Sequence, residues 1–175
     1  MMRRFLNSLL VFSLRYQKFV DPHLYPEGSN IVTICLLLWN FQIANRLDSF
    51  VASAGRNPLK VFIQVNTSGE ESKSGVEPSS CVELAKHVSQ NCSNLEFCGL
   101  MTIGNLDYTS TPENFKTLAS CRSEVCKALG IPEEKCELSM GMSGDFEQAI
   151  EMGSTNVRIG SIIFGSREYP KKSSD

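Results

Sequence analysis

Apolar and polar positions follow two rhythms along this chain. The short apolar runs Leu59–Asn66, Leu95–Thr102, Cys136–Met142 and Val157–Phe164 predict strands. Between them, Ser79–Val88 places Val82, Leu84, Ala85 and Val88 mostly on one face, and Pro112–Leu129 opens on proline and closes before Gly130. Both patterns predict helices. A further helix is expected over Ile43–Ala54. Strands alternating with helices predict a parallel sheet with right-handed crossovers. Upstream, Ile31–Phe41 (IVTICLLLWNF) falls far short of the roughly 20 residues of a membrane-spanning helix. It is expected as a buried strand or helix that could take the place of a strand directly before Ile43–Ala54.

The stretch Glu137–Gly165 carries the candidate chemistry. It reads as a strand, a serine-glycine turn at Ser143-Gly144-Asp145, a short helix, then an apolar run broken at Gly160-Ser161. Asp145 and Gln148 have the spacing of a capping box. Two turns at consecutive strand ends expose backbone amides, and a glycine lets them approach an anion closely. A phosphate site of this kind commonly follows strands seven and eight of a (β/α)8 barrel.

Composition adds exclusions. A hydrophobic content of 42% and a charged content of 21% are ordinary for a globular domain. A net charge of −2, without a basic stripe, argues against a nucleic-acid partner. The seven cysteines include no C-x-x-C pair, so neither zinc nor any other metal is expected. Reduced thiols in a cytoplasmic compartment fit this helix-strand alternation better than a disulfide framework. Cys98 is expected to be small and buried within its strand, and His87 to be a solvated helix residue. Met1–Leu14 carries two early arginines and an apolar stretch, a weak targeting pattern that leaves a mitochondrial or other address open.

ELSMGMSGDFEQAI followed by VRIGSIIFG, with VNTSGEESKSG and FCGLMTIG upstream, resembles the pyridoxal 5'-phosphate (PLP) homeostasis protein family from about Ile43 to Lys172. The resemblance implies an α/β fold like the alanine racemase N-terminal domain, a PLP-binding TIM-type (β/α)8 barrel. The family holds its cofactor as a Schiff base on a lysine near the first strand. Its valine-serine-lysine and glycine-glutamate-asparagine segments are not found here. Residues 1–42 match no part of the family, which suggests a retained intron or an alternative start. The expected organisation is therefore an unmatched segment 1–42, a partial barrel 43–172 and a tail 173–175. A barrel of this type takes about 250 residues, so an incomplete carboxy-terminal half with four strands is expected.

For individual residues, two readings stand side by side. Ser143 is a phosphate ligand, or only part of a capped βα turn. Gly160, Ser161 and the Ile162 amide join it in the phosphate reading. Met142, which alternates with Gly141, is either a cofactor-binding residue or a packed residue of the barrel core. Arg158 in an apolar strand needs an acceptor. The resemblance gives it the pyridine nitrogen of PLP, and the alternative is an ion pair with Glu151 or Asp145. Lys73 is the lysine best placed to replace the missing anchor, whereas Lys60 begins a strand and belongs at the opposite end.

The function implied is a non-catalytic carrier that buffers intracellular PLP, impaired by the loss of the anchoring lysine. Apo PLP enzymes and intact family members are the expected partners, with no membrane partner. An interaction fragment that binds no cofactor is one alternative. A racemase or decarboxylase-type enzyme is another, disfavoured because such enzymes need a second domain.

Overall fold

The computed structural model describes residues 36–55, 57–70, 74–104 and 111–165. The targeting pattern of Met1–Leu14, the substitute anchor Lys73 and the tail 173–175 lie outside them. Five parallel strands run in chain order across one sheet: β1 (Leu36–Leu38), β2 (Leu59–Gln64), β3 (Leu95–Met101), β4 (Glu137–Met142) and β5 (Asn156–Arg158). Helices α1 (Phe41–Ser53), α2 (Cys81–Asn91), α3 (Thr111–Leu129) and α4 (Phe146–Glu151) connect them, and a helical turn α5 (Ser161–Phe164) follows β5.

Local chemistry explains these boundaries. Asn40 caps α1, its Oδ1 accepting the Ile43 amide at 2.9 Å, which satisfies one of the unpaired donors of the first turn. The apolar faces of α2 and α3 meet the sheet in one core, where Val61, Ile63, Leu84, Leu100, Leu118 and Leu138 are fully buried. Successive strand residues point to opposite faces. Phe62 and Met101 are accordingly buried outside that core, on the sheet's other face. Burial on both faces is typical of parallel sheets and of barrel walls.

Several expectations change. Of its two expected forms the IVTICLLLWNF stretch takes the strand, as β1, with Leu36–Leu38 pairing with Val61–Ile63, which makes five strands where four were expected. The expected strand Val157–Phe164 is a strand only over Asn156–Arg158. Gly160 (φ −125, ψ −65) leaves the strand conformation, and the chain coils into α5 with Ile162, Ile163 and Phe164 more than half exposed. Cys98 lies within β3 as expected, yet is only half-buried. The register with β2 slips there, with Phe97 opposite Val61 and Gly99 opposite Phe62, so Cys98 is the extra residue of a bulge. His87 is half-buried rather than solvated. Its Nε2 lies 2.6 Å from Asn45 Oδ1, its Nδ1 lies 3.2 Å from Asn91 Nδ2, and Phe41 packs against the ring edge-on, which ties α2 to α1. No helix among the described residues is long and apolar enough to cross a membrane.

Candidate functional site

The carboxyl ends of the strands collect an unusual set of polar groups. Gln64 and Thr102 are buried there, at 4% and 1% exposure, with Asn66 just beyond β2, and Ser139 inside β4 is buried at 5%, level with the end of β3. A shallow polar cup opens between the β2 and β3 ends, lined by Asn66, Thr67, Ser68, Thr102 and Gly104. Thr67 and Thr102 share a hydroxyl contact of 2.8 Å across it, and the Gly104 amide donates to Thr102 Oγ1 at 3.2 Å.

Next to the cup, β4 ends in the turn Ser143-Gly144-Asp145. Asp145 does not close the expected capping box. Its Oδ1 instead accepts the Met142 amide at 2.7 Å, and its Oδ2 accepts from Thr111 Oγ1 at 3.4 Å. A carboxylate turned back toward the strand cannot also reach the α4 amides. The result is a cinched turn, with the Asp145 amide donating to the Met142 carbonyl at 3.1 Å. Gly141, at φ +95, permits it. A Cβ there would lie 2.5 Å from Ala149 Cβ, so the missing side chain lets α4 seat directly on the strand end.

The turn delivers Ser143 to α5. Its hydroxyl oxygen accepts the amides of Gly160 at 3.1 Å and Ile162 at 3.4 Å. Three of the six expected residues, Ser143, Gly160 and Ile162, thus meet at one point. Ser161 lies between the last two with an exposed side chain. Met142 and Arg158 face each other as register partners of β4 and β5, both half-buried.

Arg158 reaches back across the sheet. Nη1 donates to the Ser139 carbonyl at 2.9 Å and to Ser139 Oγ at 2.8 Å, while Nη2 donates to the Thr102 carbonyl at 2.8 Å. Asp145, one acceptor of the alternative ion pair, directs its carboxylate to Met142 and Thr111. The sequence reading missed Ser139 and Thr102. The available signal was a hydroxyl residue inside an otherwise apolar strand, since a buried hydroxyl requires a partner.

Chemically, the Gly160 and Ile162 amides are taken up by the Ser143 hydroxyl oxygen, so a phosphate oxygen would be received by replacing that oxygen as their acceptor. A guanidinium fixed on the neighbouring strand can donate to a ring acceptor. Among the described residues no lysine stands at the carboxyl end of a strand, and Lys60 belongs to the amino end of β2, paired with Glu96 of β3. The described residues therefore fit the phosphate and ring-nitrogen contacts of PLP, and its covalent anchor is not among them.

A parallel β/α sheet with buried polar groups and a clamped arginine toward its strand ends is the architecture of part of a β/α barrel. The family described as alanine racemase, N-terminal domain, matches residues 32–168, and the chain belongs to it. The match begins upstream of Ile43 and takes in β1. The chain is 56% identical over 117 residues to a protein named pyridoxal phosphate homeostasis protein from Homo sapiens, covering 65% of this chain and 42% of that one. The similarly named mouse protein is 51% identical over 135 residues, covering 75% and 49%, and that of Vibrio alginolyticus is 48% identical over 130 residues, covering 73% and 54%. The chain spans about half the length of these relatives. Among solved structures, an unknown protein from Bifidobacterium adolescentis matches with a TM-score of 0.65 at 38% identity, covering 73% of this chain and 51% of that one. PipY of Synechococcus elongatus, solved with PLP bound, matches with a TM-score of 0.66 at 24% identity, covering 91% and 78%, and shows the shared fold.

Proposed function

We propose that this chain binds PLP without catalysing a reaction, as a reversible cofactor carrier. The observation that carries the reading is the convergence of the Gly160 and Ile162 amides on Ser143 Oγ. The names of the relatives at 48–56% identity supply the ligand. Ser143 would turn its hydroxyl, and the two amides their N–H bonds, toward the phosphate. Arg158 would donate toward the pyridine nitrogen. A guanidinium does not surrender its proton, so a ring nitrogen facing it stays unprotonated and draws electrons weakly, which suits storage better than carbanion chemistry. When bound, PLP supplies an aldehyde that captures amines, and handing it on to apo PLP enzymes is the service this reading assigns to the chain. The described cysteines are all free thiols, which supports a cytoplasmic setting.

The test is a titration of the folded chain with PLP, followed by visible absorbance and equilibrium dialysis. Saturable binding that Ser143→Ala weakens about tenfold, the worth of one hydrogen bond to a charged group, is the expected result. Absence of saturable binding by soluble folded protein would refute the reading. Borohydride trapping with mass spectrometry then identifies any lysine that reacts with the aldehyde, Lys73 included.

A further inference from the structure

Arg158 owes its position to two other strands. Its contacts with Ser139 and Thr102 use three guanidinium donors, and Ser139 supplies two of the acceptors, one from the main chain and one from the side chain. The Ser139 hydroxyl is itself oriented. It donates to Asn156 Oδ1 at 3.3 Å, which turns its lone pairs toward the guanidinium. Ser139 pairs with Asn156 across β4 and β5 while Met142 pairs with Arg158, and the register shift between these pairs lets the arginine side chain fold back over Ser139. Ser139 is 5% exposed, so water does not compete for this hydroxyl. A flexible side chain that is only half-buried is thus locked at its end by a buried, pre-oriented acceptor.

We infer that Ser139 is the positioning residue of Arg158, setting how strongly this site recognises the ring nitrogen of a pyridine phosphate. The inference rests on the PLP reading above. Ser139 touches no part of the ligand in this account and acts only through the guanidinium. Thr102 contributes a main-chain carbonyl, which substitution of its side chain leaves in place, whereas substitution of Ser139 removes a side-chain acceptor from the guanidinium.

The experiment compares PLP with its 1-deaza analogue, in which a C–H replaces the ring nitrogen, on the full chain. Wild type should bind PLP about tenfold more tightly, the effect of one charge-assisted hydrogen bond. In Ser139→Ala this preference should fall to about two- to threefold, because the deletion removes the buried side-chain acceptor that holds Nη1. Ser139→Thr, which keeps the γ-hydroxyl, should restore it. A merely structural role would weaken both ligands equally and leave their ratio intact, and that outcome overturns the inference. So does a wild type that binds both ligands alike. If wild type binds neither ligand, the PLP reading itself fails and the inference falls with it. Should Ser139→Ala not fold, Asn156→Ala on the exposed side of the relay decides. A reduced ratio supports the assignment and an unchanged ratio overturns it.

Discussion

Gly141→Ala tests whether the turn that carries Ser143 is built by close approach of α4 to the end of β4. The backbone at Gly141 has φ +95, and an added Cβ would stand 2.5 Å from Ala149 Cβ and 3.1 Å from Phe146 Cα. Two penalties follow. An L-residue held at positive φ costs about 1–2 kcal/mol, and forcing a methyl group against the fully buried Ala149 costs about 1–3 kcal/mol. Together they amount to about 2–5 kcal/mol, a large share of the roughly 5–15 kcal/mol that stabilises a typical domain. The assay is urea unfolding followed by circular dichroism, with the loss appearing in the midpoint at an unchanged slope. The contact component is isolated by a cycle with Ala149→Gly, which removes the facing methyl. A coupling of about 1–3 kcal/mol is expected, while the backbone component persists. Gly160→Ala serves as the contrast. No atom lies within 4 Å of a Cβ there, and φ is −125, so stability should hold within about 0.5 kcal/mol. A Gly141→Ala chain as stable as wild type, or one showing no coupling to Ala149, would refute the close-packing account.

Two further outcomes follow from the core. Burial pushes the Cys136 thiol up to about 12, Cys126 is raised by burial as well, and Cys81 is raised first by its hydrogen bond with Cys121 and then by burial. These thiols stay neutral in the folded chain while the unfolded chain ionises above 9.0. Their stabilisation is complete below pH 9 and for Cys136 declines between 9.0 and about 12, at up to about 1.4 kcal/mol per pH unit for each thiol. Urea midpoints at pH 8 and pH 10 should show the fall, and Cys136→Ala should flatten it. An identical slope in that variant would contradict the assignment. Asn40→Ala should cost about 1 kcal/mol in the same assay by removing the α1 cap, with Asn40→Ser close to wild type. An unchanged midpoint would mean that the cap adds nothing to the folded chain.

How far the sequence revealed this structure depended on whether a feature was periodic or relational. Strands β2, β3 and β4 and helices α1, α2 and α3 were legible within a few residues, because each buries a face that repeats at its own period. Residues 157–164 misled for the same reason. The apolar run Ile162-Ile163-Phe164 has the composition of a strand, yet the backbone turns at Gly160 and leaves those side chains exposed. Asp145 shows a second limit. Its spacing from Gln148 suits a helix cap, but one carboxylate has two oxygens, and here they serve the Met142 amide and Thr111, a contact set by tertiary packing. The two glycine-serine turns at consecutive strand ends were readable, and Ser143, Gly160 and Ile162 do meet there. The anchors of Arg158 were not readable. They lie 19 and 56 positions away in sequence and come into reach only through the registers of β3, β4 and β5. A buried polar group declares in the sequence that a partner must exist, and only the strand register says which one. The meeting of Ser143 with Gly160 and Ile162 therefore rests on two local turns, while the placement of the Arg158 guanidinium rests on how β3, β4 and β5 are aligned.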